Sequence, residues 1–163
     1  MNKTTIREDK TMAPANKHTD DTFVLDARLE ADCEWAADMG LCKLLMMNNK
    51  SVPWFILVPR IASATELTHL PMAQQQQVLQ EMNEVATMVT KLYTPHKLNI
   101  GALGNVVIQL HIHVMGRFTH DPAWPGPVWG QLAPNAYSDE QLAKQLNDVR
   151  GVLVGWIHWA GLL

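Results

Sequence analysis

Two histidines stand one residue apart in "QLHIHVMGR", Gln109 to Arg117, inside an otherwise apolar run. Successive side chains of an extended chain point to opposite faces, so Gln109, His111 and His113 share one face and Leu110, Ile112 and Val114 the other. Neighbouring imidazoles on a strand admit three readings. A half-buried strand can carry neutral histidine with no chemistry at all. The pair can ligate zinc, but a third ligand has to come from elsewhere, and no Glu or Cys lies nearby in sequence to supply it. The third reading is nucleophilic attack on phosphorus. One ring nitrogen attacks while the other gives its proton to a fixed acceptor such as a backbone carbonyl. The second histidine then stabilises charge on the phosphoryl oxygens, which divides the labour between His111 and His113.

The elements that must position these residues follow from patterning. "VVIQLHIHVM" is rich in β-branched residues and reads as one long strand, preceded by a short strand "KLNIG" and a turn "ALGN". Upstream, "LCKLLMM" and "WFILVPR" are apolar runs separated by the turn-forming "NNKSVP", a hairpin. From Met72 to Tyr93 the apolar positions Val78, Met82, Val85, Val89 and Leu92 step by three and four, and Pro71 suits a helix start. The spacing of Leu29, Cys33, Ala36 and Ala37 in "TFVLDARLEADCEWAADMG" predicts a first helix, with Gly40 as a left-handed C-terminal cap. "HDPAWPGPVWG" is expected to be a structured loop. Its Trp124 and Trp129 suit a stacking or lid role, or the anchoring of the loop to the core or an interface. Ser138 with Gln141 three residues on forms a capping box for a final helix. Along that helix Val149, Val152, Leu153, Trp156 and Ala160 recur at helical spacing, and a chain end this apolar calls for a subunit partner to cover it.

Composition narrows the function classes. The 163 residues suit one domain, with residues 1–21 too polar to repay ordering and read as a flexible extension, and residues 22–163 as the folded unit. Thirteen basic against sixteen acidic residues give a net charge of −3 without any basic cluster, so nucleic acid is not an expected partner. Cys33 and Cys42 suggest neither a disulfide framework nor a paired-cysteine zinc motif, and with no apolar signal stretch the expected compartment is a reducing cytoplasm. The longest apolar stretch, "GVLVGWIHWAGLL", is interrupted by His158 and falls short of the roughly 20 residues a bilayer span needs, so no membrane is expected. No metal or cofactor is called for by these residues.

The segment "NIGALGNVVIQLHIHVMGR" resembles the active-site strand of the histidine triad (HIT) family, a His-x-His-x-His strand preceded by an Asn and a Gly-rich turn, and within it bacterial members with "LGN" and "QLH.HV". "WFILVPR" is similar to the family's strand ending in Val/Ile-Pro-Lys/Arg, and one long helix fills the distance between the motifs. The resemblance covers roughly residues 22–130. It implies an α+β, HIT-like fold, an antiparallel sheet of about five strands with flanking helices and the active-site strand near a homodimer interface. It implies hydrolase or transferase chemistry at the α-phosphate of a purine nucleotide or nucleotide conjugate, a phosphoramidate or a dinucleoside polyphosphate. His111 would then form a nucleotidyl-histidine that water resolves, His113 would contact the phosphoryl oxygens, and Gln109 would orient His111. Asn99, Gly104 and Asn105 would contact sugar and phosphate. The nucleoside pocket would come from the first hairpin, with Leu44 and Met46 at the base and Asn48 or Asn49 at the ribose; alternatively these four are core and turn.

Four positions depart from the commoner family pattern. Gln109 replaces the first histidine, a change that leaves the backbone carbonyl orienting His111 in place. Asn105 and Val106 stand where many members have Gln and then Ser or Thr, and Trp54 where many have a further histidine; an indole donates a hydrogen bond but takes no proton. These substitutions keep two rival functions open: a nucleotide-binding module with little turnover, and an interaction protein built on the Trp-rich loop and tail.

Overall fold

The computed structural model describes the backbone of residues 23–160 and side chains through Leu153. The flexible extension expected over residues 1–21 lies outside the described residues. Eight principal elements follow one another: α1 (Ala27–Asp32), β1 (Cys33–Asp38), β2 (Cys42–Met47), β3 (Trp54–Pro59), α2 (Met72–Tyr93), β4 (Lys97–Gly101), β5 (Ile112–Arg117) and α3 (Asp139–Ala160). The strands form one antiparallel sheet in the order β1-β2-β3-β5-β4. This is the α+β architecture expected from the sequence.

Alternation splits the sheet into two faces. Leu44, Met46, Phe55, Leu57, Ile112 and Val114 point to one, where Val78, Val85, Met88 and Val89 of α2 and Val149 and Leu153 of α3 cover them. Leu45, Trp54, Ile56, Val58 and Met115 point to the other, under Leu29 of α1 and Val107 and Val128 of the loops. The histidines belong to this second face. The hairpin and α2 form where the apolar patterns place them, and the capping box closes as expected, Ser138 N–H donating to Gln141 Oε1 (3.1 Å) and Gln141 N–H to Ser138 Oγ (3.3 Å).

Three expectations are corrected. The first helix stops at Asp32, and Cys33–Asp38 is a strand paired with β2. Cys33 is buried on one face and Ala36 on the other, with a bulge between Trp35 and Ala37, so two burials three residues apart imitate a helical step. Gly40 is therefore no helix cap. It sits where a Cβ would come 2.6 Å from Gln77 Nε2 and 3.0 Å from Glu81 Oε1, so it lets the β1–β2 turn approach α2. The long strand is also shorter than expected, because the ladder with β3 ends at Leu57↔Ile112 and that with β4 at Gly101↔His113. Residues 106–111 run outside the sheet, Leu110 N–H donating instead to Ala64 O (2.8 Å). Finally, Val149 and Leu153 need no subunit partner, since the chain's own sheet and α2 bury them. The side chains of Trp156 and Ala160 lie outside the described residues.

Candidate active site

His111 leads into β5 and His113 lies on it, both turned away from α2 and both buried at 5% exposure. Their rings meet edge to face with centroids 5.0 Å apart. His111 Nδ1 is 2.7 Å from the carbonyl of Gln109. A carbonyl only accepts, so Nδ1 carries a proton, and the tautomer this favours in the neutral ring leaves the lone pair on Nε2. His113 meets the opposite partner: Trp54 Nε1–H, on the adjacent strand, donates to His113 Nδ1 at 2.8 Å. An indole only donates, so the proton of His113 sits on Nε2. Burial, and secondarily the neighbouring His111, push the pKa of His113 down to about 4. The neutral form of His111 thus presents its lone pair on Nε2, while His113, held neutral at pH 7, donates from its own Nε2.

Both rings face a cavity of about 330 Å³ whose walls include Arg28 and Asp32 of α1, Met47 of β2, Asn105 and Trp129. Trp129 stands edge-on to His113 with centroids 5.4 Å apart, and a Cβ at Gly101 would come 3.2 Å from its ring, so glycine there makes room for the indole. A larger cavity of about 470 Å³ on the opposite face is walled by Gln76, Gln77, Gln80 and Glu84 of α2. Its buried carboxylate, Glu81, is already committed to the N–H groups of Leu41 (2.6 Å) and Cys42 (2.8 Å). Among the described residues no three His, Cys, Asp or Glu side chains are grouped to hold a metal ion.

The structure brings together only some of the residues singled out from sequence. Gln109 contributes its carbonyl, while its side chain ties down the segment before α1, Oε1 accepting from Asp26 N–H and Nε2 donating to Val24 O, both at 2.9 Å. Asn105 lines the cavity; Gly104 is in the same turn but not in the wall. Asn99 shares the face of His113, yet Arg117 Nη1 donates to its Oδ1 (2.7 Å) and its Nδ2 donates to Leu98 O (3.1 Å). Leu44 and Met46 are core residues on the opposite face, because a hairpin alternates and the positions that face the histidines are Leu45 and Met47. Asn48 braces the lead into α3, accepting from Tyr137 N–H (3.0 Å), and Asn49 donates to Ala133 O (3.0 Å). Sequence reasoning missed Arg28 and Asp32. Their i,i+4 spacing, with Nε and Oδ2 3.7 Å apart, was a legible pairing signal, but nothing local said that it faced the histidines.

This fold and paired-imidazole site define a histidine triad protein, and comparison with known proteins agrees. The HIT domain model matches residues 28–120. A histidine triad protein of Sinorhizobium meliloti 1021 is 41% identical, with 80% of this chain and 96% of that chain covered and a TM-score of 0.78. One from Marinobacter aquaeolei VT8 is 41% identical, with 82% and 97% covered and a TM-score of 0.79. One from Bradyrhizobium japonicum is 38% identical, with 78% and 96% covered and a TM-score of 0.77. No curated protein matches the sequence. The chain belongs to the histidine triad (HIT) family. Among its described residues no helix is long and apolar enough to cross a membrane.

Proposed function

We propose that this protein is a nucleotide hydrolase or transferase that attacks the α-phosphorus of a nucleotide with His111 Nε2. The observation that carries this reading is the His111 Nδ1–Gln109 carbonyl contact of 2.7 Å, which fixes the tautomer a nucleophile needs. The Nε2 lone pair forms the P–N bond, the leaving group departs with its bonding pair, and water then releases the nucleoside monophosphate. His113 donates from Nε2 to the phosphoryl oxygens as their charge grows. Arg28 offers the cavity a cation for the phosphate chain, and Asp32, in place of Asn48 or Asn49, supplies the ribose acceptor. Gln109 supports rather than opposes turnover in this reading, because the carbonyl does the orienting. A purine nucleotide or its conjugate fits a cavity whose apolar wall is Leu29, Met47 and Ile56.

The test is intact-protein mass spectrometry after rapid acid-free quench of the protein mixed with adenosine 5'-phosphoramidate or a diadenosine polyphosphate, with assay of released AMP. A transient adduct heavier by one adenylyl group (AMP less water), absent from His111→Ala, is expected, together with loss of turnover in that variant by at least about a thousandfold. Nucleotide that raises the melting temperature without adduct or AMP would install the binding-module reading instead.

A further inference from the structure

We infer from the Trp54–His113 pair that the site acts on nucleotides whose leaving group is itself an acid, a phosphate or carboxylate joined to the α-phosphorus as an anhydride, in preference to amines joined as phosphoramidates. The inference rests on the function proposed above and adds the substrate class. Trp54 is 8% exposed, and its only polar atom is an N–H that can donate but never accept. A protonated His113 would place a second N–H against it across 2.8 Å, two donors facing each other with no acceptor between them. His113 is thus confined to a single proton, on Nε2. A neutral imidazole shares such a proton in a hydrogen bond but does not surrender it at any ordinary pH. His113 can steady a phosphoryl oxygen and cannot serve as general acid.

Among the described residues no other group in the cavity wall takes over that duty. The ionisable side chains there are His111, Arg28, Asp32 and His113. The Nδ1 proton of His111 is engaged with the Gln109 carbonyl, turned from the attacking nitrogen. Arg28 keeps its protons, and Asp32, ion-paired with it, acts as an acceptor. Trp129 adds only an indole N–H. The consequences for the leaving group differ by chemistry. When His111 Nε2 bonds to phosphorus and the P–O bond of an anhydride breaks, the electron pair rests on a phosphate or carboxylate oxygen, stable as an anion with no proton added. Water then bonds to phosphorus, the P–N pair returns to Nε2, and the surplus proton passes to solvent. When the bond broken is P–N to an amine, the departing nitrogen has to gain a proton as it leaves, and the described residues of the cavity wall offer none. Trp54 is accordingly a positioning residue that selects the substrate class through His113.

The experiment compares kcat/KM of the native protein on diadenosine triphosphate, acetyl adenylate and adenosine 5'-phosphoramidate, which separates phosphate, carboxylate and amine leaving groups. At least one anhydride is expected to exceed the phosphoramidate by about a hundredfold or more, the contribution an absent general acid would otherwise make. Rates on the phosphoramidate within about tenfold of both anhydrides would overturn the inference while leaving the proposed function intact. No turnover of any of the three would overturn the proposed function, and this inference with it. Trp54→His, whose imidazole can accept from Nδ1–H, is expected to narrow the gap by speeding the phosphoramidate selectively, whereas Trp54→Phe is not. Long-range ¹H–¹⁵N spectra of the native protein supply a readout independent of catalysis: Nδ1 of His113 is expected to be unprotonated at pH 7, and a proton found there would sink the idea.

Discussion

His111 and His113 are chemically identical side chains made different by what faces each Nδ1, a carbonyl that can only accept and an indole that can only donate. That difference has a thermodynamic signature. The pKa of His113 is lowered from 6.5 to about 4 in the fold, so between these values the unfolded chain binds a proton that the native state refuses. Stability contributed by His113 is complete above about pH 6.5 and declines as pH falls toward 4. Denaturant midpoints measured across that range are expected to fall more steeply for the native protein than for His113→Gln, which has no proton to gain. A parallel pair of curves would show that His113 titrates normally and that the Trp54 contact does not hold it neutral.

Two of the turns that frame the sheet are tied down by buried carboxylates. Asp121 accepts from Arg117 Nε (2.8 Å) and Nη2 (2.9 Å) and from the N–H groups of Phe118 and Ala123, pinning the start of the loop that delivers Trp129 to His113. The hydrogen bonds from Arg117 hold its carboxyl below the ordinary carboxylate range. Asp121→Ala leaves Arg117 charged, 1% exposed and without its carboxylate partner, Asn99 Oδ1 still accepting from Nη1, so a loss of about 3 kcal/mol is expected in chemical denaturation, with looser ordering of the Trp-rich loop read by fluorescence. On the opposite face Glu81 performs the same service for the β1–β2 turn, its two oxygens taking the N–H groups of Leu41 and Cys42. Glu81→Ala orphans both donors and is expected to cost about 2–4 kcal/mol of unfolding free energy. Glu81→Gln, which keeps one acceptor, is expected to cost less. A change under about 0.5 kcal/mol in the alanine variant would mean that the turn finds other partners.

At the scale of the molecule the two sheet edges are treated differently. At β1 the bulge leaves the carbonyls of Trp35 and Ala36 to Arg150 of α3, whose Nη2 and Nε donate to them at 2.9 Å while the guanidinium covers the Trp35 ring at 4.9 Å. β4, the other edge, pairs only with β5 among the described strands. Ile100 on this strand and Leu103, Val106 and Ile108 in the segment after it are exposed, Val106 by 70% and Ile108 by 67%. An exposed apolar edge of this kind is where the homodimer expected from the sequence would bury its surface. Ile100→Lys is expected to convert a dimer to a monomer in sedimentation while leaving the far-UV spectrum unchanged. A native protein that sediments as a monomer would reject that assembly.

Much of this was legible from sequence because it depends on local periodicity. A period of two assigned Leu110, Ile112 and Val114 to the core and the histidines to the opposite side, a step of three and four marked α2 from Met72 to Tyr93, and Ser138 with Gln141 announced α3. The sequence by itself thus determined the α+β class, the neighbouring imidazoles and the family. It could not determine which face of the β2–β3 hairpin the site uses, since Leu44 and Leu45 are equally apolar and a shift of one residue exchanges the faces. Nor could it show that Cys33–Asp38 is a strand, because burial on both faces imitates a helix. Only the tertiary structure set Trp54 against His113 across 59 residues of chain and turned Asn99 toward Arg117. The protonation of an imidazole is decided by the atom opposite each nitrogen, and that atom arrives through folding from a distant strand.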